Sequence, residues 1–238
     1  MLWWVFHALI AVHIVLGAIG LVAFWVPVVG KKGGDAHRRW GRVFNRCMIG
    51  TAVFALAMST CTLIDPIGTH PHLSDADMVR GIFGWMMQYL AVLTMNLAWY
   101  GWLCVTNGRR HERNREWRNM ALQVLLAVTA VNCAVQGWLI DQPLMIGMSL
   151  IGFATVGTNL RFLLDRSPPP KEWLREHVKA LVGTGISVYT AFFAFGAVRI
   201  MPEIALNPAL WAVPLVVGMA IILYHWRKVA LSVRPARG

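Results

Sequence analysis

Seven long apolar stretches, separated by short polar segments, dominate this chain. A helix needs roughly 20 mostly apolar residues to cross a hydrocarbon core of about 30 Å. Seven such helices take up about 140–170 residues, so a chain of 238 residues has little left for a separate soluble domain. The composition agrees, because 57% of the residues are hydrophobic and only 14% are charged. The sequence therefore predicts one all-α, seven-helix transmembrane domain over residues 1–238.

The spans are predicted from the limits of the apolar stretches, which are 2–29, 43–64, 81–106, 119–140, 143–164, 178–200 and 210–226. A closed β-barrel would instead need strands in which polar and apolar residues alternate. Stretches such as 120–140 and 210–226 are apolar on nearly every side, which favours helices. Pro214 falls inside the seventh span, where a proline predicts a kink.

Basic residues divide the polar segments into two alternating sets. Of the 22 lysines and arginines, all except Arg80 and Arg199 lie in segments 30–46, 107–118, 161–179 and the C-terminal tail. Positive charges next to a span are retained on the cytoplasmic side. We therefore predict a multi-pass protein of the bacterial cytoplasmic (inner) membrane, with its N-terminus outside and its C-terminus inside.

The net charge of +11 could suggest a nucleic-acid partner. The basic residues are nevertheless spread over every inner segment, each next to a span. This distribution predicts contact with the lipid bilayer, and in particular with anionic lipid at the cytoplasmic face, and no binding of nucleic acid. The sequence identifies no protein partner.

No acidic residue, lysine or arginine lies deep inside a predicted span. Proton-coupled pumps and many ion-coupled carriers use carboxylates within the membrane, and a retinal protein needs a buried lysine. The sequence argues against these classes. Any polar function inside the membrane must therefore use histidines, amides and hydroxyls. The amides and hydroxyls of the spans predict either an internal pocket or hydrogen bonds between helices. They include Gln88, Asn96, Thr129, Asn132, Gln136, Thr155, Thr158 and Asn159.

His13 lies about 16 Å along the first span, near the midplane of the membrane. A histidine at that depth is costly unless it faces a partner or a cavity. One hypothesis is that it binds a cofactor or contacts a substrate. The other is that a neutral His13 forms a hydrogen bond across helices, with Asn132 and Gln136 as the favoured partners.

Four histidines fall at the inner side, namely His37, His111, His177 and His225. His177 begins the sixth span and His225 ends the seventh, so antiparallel neighbours would place both at one depth, with His37 close by. Two of these side chains could bind haem b, and His37, His177 and His225 together with a water could hold a divalent metal such as zinc. No HxxxH or HExxH spacing is present, so scattered interfacial histidines remain an alternative.

Segment 33–44 contains the sequence HRRWGRVF and resembles a loop, HRxxGRxF, of a bacterial family of predicted multipass membrane proteins of unknown function. In that family a first helix bearing His and Gly precedes the loop. Segments 173–177, 189–192 and 210–214 fit the same family pattern, so the resemblance spans nearly the whole chain. It implies no activity, but it directs attention to a possible cofactor-binding set. That set is His13, His37, Arg38, Arg42 and His177.

Three functional hypotheses follow from these residues. The leading one is a haem-, quinone- or metal-linked redox protein, whose arginines could pair with haem propionates. The second is a carrier or binder of a small molecule or lipid that performs no chemistry. The third is a zinc-dependent intramembrane hydrolase using His37, His177 and His225, which lacks an evident buried carboxylate as general base. A scaffold subunit is a further alternative, so the enzyme class stays open.

Overall fold

The computed structural model describes residues 2–196 and 208–232, and within these ranges it contains helices and no strand. We number the seven long helices in chain order. They are α1 Leu2–Val29, α2 Asp35–Ile64, α3 Ala76–Asn107, α4 Trp117–Leu139, α5 Pro143–Leu164, α6 Glu172–Gly196 and α7 Pro208–Leu231. All seven are long and apolar enough to cross a membrane. The prediction of an all-α, seven-helix membrane protein is therefore confirmed.

Several helices are longer than their apolar stretches. Helix α2 begins at residue 35 rather than 43, and α6 begins at residue 172 rather than 178. Each carries an acidic residue in its first turn, Asp35 or Glu172, where the helix dipole favours negative charge. Basic side chains on these turns are long enough to reach water, so polarity does not end the helix. His37, Arg38 and Arg42 consequently lie on α2 and not in a loop.

The remaining boundaries differ by smaller amounts. Helix α3 extends back to residue 76 through a short π-helical segment, Arg80–Met86. Helix α7 continues to residue 231 and contains Pro214 within it. The predicted end of the sixth span at residue 200 lies outside the described residues.

Helix α3 is the most buried of the seven and packs against α2, α4 and α6. Helix α1 packs mainly on α2, α5 on α4, and α7 on α6. One core cluster surrounds α3 and includes Tyr89, Tyr100 and Leu126. A second cluster joins α1, α2, α6 and α7 through residues such as Phe24 and Met48. The two clusters meet along α3 and α6, so polar side chains between these helices are enclosed by the bundle.

Close approach of α3 and α6 depends on Gly101. A Cβ atom at this position would lie 2.8 Å from a methyl group of Leu181 and 2.9 Å from Cβ of Ala180. Small residues of this kind let two membrane helices pack backbone against backbone. The Gly101 carbonyl is thereby brought within reach of side chains on α6.

The described connections between helices lie at two ends of the bundle. We call the end that carries loops 30–34, 108–116 and 165–171 the basic end, because most lysines and arginines cluster there. Loops 65–75 and 140–142 lie at the opposite end. The assignment of the basic end to the cytoplasm remains a prediction from charge.

That orientation predicts opposite results for two reporter fusions. After residue 238, the reporter that works only in the cytoplasm should be active. In loop 65–75, the reporter that works only after export should be active. Paired phosphatase and fluorescent-protein fusions measure both locations in intact cells. The same location for both insertions would contradict the predicted topology.

Candidate functional site

His13 faces α2. Its Nδ1 atom lies 3.1 Å from the backbone carbonyl oxygen of Thr51. The side chain therefore turns inward, as expected for a histidine near the midplane. The prediction that Asn132 and Gln136 are the partners of His13 was wrong. Both residues lie on α4, whereas α1 packs mainly on α2. A carbonyl of the neighbouring helix satisfies the ring instead, which agrees with the hypothesis of a hydrogen bond across helices.

His37 and His177 use their Nδ1 atoms in the same way. Nδ1 of His37 lies 3.1 Å from the carbonyl oxygen of Pro27, and Nδ1 of His177 lies 2.9 Å from that of Gly101. A carbonyl can only accept, so Nδ1 carries the proton in both rings. The Nε2 atom of each ring is then left with a lone pair. This is the tautomer in which a histidine can bind a metal or accept a hydrogen bond through Nε2.

His225 joins these two histidines at the basic end. His37 lies in the first turn of α2, His177 near the start of α6 and His225 near the end of α7, so the three rings lie at the same end of the bundle. Within the described residues, however, no group of three His, Cys, Asp or Glu side chains is placed so that it could hold a metal ion. The metal set His37, His177 and His225 stays a prediction. Arg38 is exposed and pairs with Asp35 at 3.7 Å.

Lys32 adds a cation to the same region. Its Nζ atom donates to the carbonyl oxygens of Pro27 at 2.8 Å and Val28, which are free at the end of α1. Burial, followed by the charge of Lys228, lowers the pKa of Lys32. Positive charges from loop 30–34 and from the end of α7 therefore meet beside His37.

Glu176 is a buried carboxylate that sequence reasoning missed, since it falls in the inner polar segment 161–179. It lies on α6 and is only 7% exposed. The hydroxyl of Tyr100 donates to its Oε2 atom at 2.6 Å, and Lys179 forms an ion pair with the same oxygen. Lys179 also donates to Thr158 Oγ1 at 3.3 Å. The signal in the sequence is the i, i+3 spacing of Glu176 and Lys179, which places them on one helical face.

Six amides form a chain of hydrogen bonds between α3, α4, α5 and loop 108–116, which we call the amide ladder. Its members are Asn96, Asn107, Asn114, Asn119, Gln123 and Asn159. Asn159 Nδ2 donates to Asn96 Oδ1 at 3.2 Å and to Gln123 Oε1 at 3.3 Å. Asn96 and Asn159 were candidates for such contacts, whereas the i, i+4 pair Asn119 and Gln123 was missed. Of the two alternatives predicted for the span amides, a hydrogen bond between helices is therefore present for Asn96 and Asn159.

A cavity of about 320 Å³ opens at the basic end, where α3 and α5 finish and α6 begins. We call it the His111 cavity. His111 lines it and packs edge-on against Phe162, with 4.5 Å between the ring centroids. Both ring nitrogens of His111 are buried, and neither has a hydrogen-bond partner among the described residues. Arg109, Lys171 and Trp173 line the same cavity.

Lys171 is held in place at the mouth of this cavity. Its Nζ atom donates to the carbonyl oxygen of Ser232 at 3.1 Å and to the hydroxyl of Ser232 at 3.0 Å. An ammonium group has three protons, so one remains available for a ligand. Sequence reasoning placed His111 among the inner histidines without singling it out. The neighbouring Arg109 and the proline run 168–170 were the available signals.

The described part of the chain therefore contains three polar centres in the half of the bundle next to the basic end. They are the histidines His37, His177 and His225, the buried Glu176–Lys179 pair, and the amide ladder beside the His111 cavity. Comparison with protein-family models, with curated proteins and with solved structures found no match to this chain.

Proposed function

We propose that this integral membrane protein binds the phosphate-bearing headgroup of an anionic lipid in the His111 cavity, at the cytoplasmic face of the membrane. The observation that carries the proposal is the imidazole of His111, whose two buried nitrogens have no hydrogen-bond partner among the described residues. A buried polar atom left without a hydrogen bond destabilises a protein by about 1–3 kcal/mol. A ligand that bonds to the ring would remove that penalty.

The charges around the cavity favour an anion. Arg109 and Lys171 line it, and no acidic residue is among the described side chains that do so. Arginine and lysine bind phosphate oxygens through charge-assisted hydrogen bonds, which are roughly twice as strong as neutral ones. An imidazole N–H also donates a hydrogen bond, so three side chains can donate hydrogen bonds to one phosphate.

The size and place of the cavity favour a headgroup. Ligand pockets usually have volumes of about 300–1,000 Å³, so a cavity of about 320 Å³ suits a small polar group better than acyl chains. Phe162 and Trp173 supply apolar walls next to the glycerol end of a lipid. Aromatic side chains and basic loops both prefer the depth of the headgroups. This function corresponds to a lipid binder and requires no chemistry at the site.

Two substitutions should weaken lipid binding. His111→Phe keeps the packing against Phe162 and removes both nitrogens, and Arg109→Gln removes one cation. Each should lower the affinity for phosphatidic acid about ten-fold, which is the effect of losing one charge-assisted hydrogen bond of about 1.4 kcal/mol. Native mass spectrometry of the detergent-purified protein measures the bound fraction. Arg110→Gln is the matched control, because Arg110 is adjacent but does not line the cavity.

Competition with inorganic phosphate distinguishes the source of the anion. A lipid site should retain phosphatidic acid when inorganic phosphate is in excess, because apolar walls contact the rest of the lipid. Full displacement by phosphate would identify a site for a soluble anion instead. Equal affinities of the wild type, both cavity variants and the control for phosphatidic acid would overturn the proposal.

A second candidate function is binding of haem between His37 and His177. The supporting observation is that both rings hold their Nδ1 protons on backbone carbonyls and leave Nε2 available, as axial haem ligands require. Protein purified from haem-supplied cells should then show a Soret band, and His37→Ala or His177→Ala should remove it. A haem-free spectrum of the folded wild type would exclude this candidate.

A further inference from the structure

We propose that the amide ladder binds a small, uncharged, hydrogen-bonding molecule between Asn96 and Asn159, inside the bundle. Water is the smallest molecule of this class. The site is separate from the His111 cavity and does not depend on headgroup binding. Three observations carry the proposal: the burial of the ladder, its unpartnered atoms, and the cavity at its outer end.

The ladder is enclosed almost completely. Asn96, Asn114, Asn119 and Asn159 are each 0% exposed, and Gln123 is 1% exposed. In this environment every amide group needs a hydrogen-bond partner, because bulk water does not reach it.

Three atoms of the ladder nevertheless have no partner among the described residues. They are Nδ2 of Asn96, Oδ1 of Asn159 and Nδ2 of Asn114. The first two belong to amides that already touch, since Asn159 Nδ2 lies 3.2 Å from Asn96 Oδ1. A free donor and a free acceptor therefore belong to two side chains that are in direct contact. One molecule that accepts from Asn96 and donates to Asn159 would satisfy both.

The orientation of the Asn159 amide is set by its neighbours. Its Nδ2 atom serves two acceptors, Asn96 Oδ1 and Gln123 Oε1. Turning the amide over would bring its oxygen against these two oxygens and lose both hydrogen bonds. The free Oδ1 atom is thus a consequence of the pairing.

The ligand of such a site is uncharged. All six ladder side chains are neutral amides, so the ladder itself would leave an ion in the interior of the membrane without a counter-charge, which is strongly unfavourable. Amide groups offer both donors and acceptors, which suits water and small amides or alcohols.

The ladder also has an outer opening. Asn107 lines a second cavity at the basic end, together with Glu112, Arg113 and Glu116. Its Nδ2 atom donates to Asn114 Oδ1 at 2.9 Å, which connects this cavity to the ladder. Asn96 lies eleven residues before Asn107 on the same helix, a distance of about 16 Å. The ladder therefore reaches about halfway across a hydrocarbon core of about 30 Å.

Solid-state NMR of the full-length protein in lipid bilayers tests the proposal. Magnetisation transfer from water should reach the side-chain NH2 groups of Asn96 and Asn159 as it reaches that of Asn107 at the opening. The buried backbone N–H of Leu97, on the same helix, is the dry reference. In Asn159→Leu the transfer to Asn96 should fall to the level of Leu97, while Asn107 keeps its signal.

Wild-type protein alone decides the question if Asn159→Leu fails to fold. Water transfer to Asn96 and Asn159 no greater than to Leu97 would overturn the proposal. Addition of acetamide separates the two kinds of occupant: a shift of the Asn96 signals identifies a solute site, and unchanged signals identify water. Sodium acetate, which has a similar shape but carries a charge, should have no effect, and displacement of the occupant by acetate would contradict the argument for a neutral ligand.

Discussion

Lys179→Met should destabilise the protein strongly, because it leaves the carboxylate of Glu176 buried without its cation. The side chains of Glu176 and Lys179 are 9% and 17% exposed, so water cannot fully replace the ion pair. Removing one partner of a buried pair typically lowers the free energy of unfolding by about 3–5 kcal/mol. The hydroxyl of Tyr100 would still donate to Glu176 but brings no charge. Thermal or denaturant unfolding of the purified protein in detergent measures the loss.

The double variant Glu176→Gln/Lys179→Met should recover most of this stability. A neutral amide can still accept the hydrogen bond from Tyr100, and no charge is then left unpaired. Arg38→Met is the matched control, because Arg38 and Asp35 form an i, i+3 pair that is largely exposed. Exposed pairs contribute about 0–1 kcal/mol. Equal losses in Lys179→Met and Arg38→Met would show that Glu176 is not buried as an ion.

The seven spans could be predicted from sequence because the membrane leaves few choices. A backbone in lipid must satisfy its own hydrogen bonds, so each long apolar stretch has to be a helix. The helix starts were harder to predict, since polar turns at the membrane surface are helical without being apolar. Helix α6 shows this, because its first turns carry Glu172, Glu176 and Lys179.

The site was only partly predictable for a related reason. Depth along a helix can be counted, so His37, His177 and His225 could be placed at one end of the bundle before the fold was known. Counting residues does not show which helices pack against each other. His13 was therefore assigned partners on α4, although α1 packs on α2.

The buried polar groups illustrate the same limit. Asn96 and Asn159 lie 63 positions apart in sequence, and their pairing depends on how α3 and α5 cross. Glu176 lies outside the predicted sixth span, and its burial could not be foreseen because it depends on a neighbouring helix, here through Tyr100. Residue type and spacing identify such groups as candidates, and packing decides their partners.

Two glycine-to-alanine substitutions in one hairpin should have opposite effects on stability. At Gly137 in α4, a Cβ atom would lie 2.7 Å from Cβ of Met145 and 3.1 Å from the carbonyl oxygen of Gln142. Neither atom is the end of a flexible side chain. The Gln142 N–H also donates to the Gly137 carbonyl at 2.7 Å, which holds α4 and α5 together at this turn. Gly137→Ala should therefore force the hairpin apart and lower the free energy of unfolding by about 1–3 kcal/mol.

Gly147→Ala is the matched control in the same hairpin. Nothing lies within 4 Å of a Cβ atom at Gly147, which is an exposed position on α5. Alanine in a helix interior is more stable than glycine by roughly 0.5–1 kcal/mol, because the unfolded chain loses conformational freedom. The melting temperature should therefore rise slightly in Gly147→Ala and fall in Gly137→Ala. If the melting temperature falls in both variants, stability depends on chain flexibility at both sites. If it rises in both variants, α4 and α5 do not approach as closely as the structure places them.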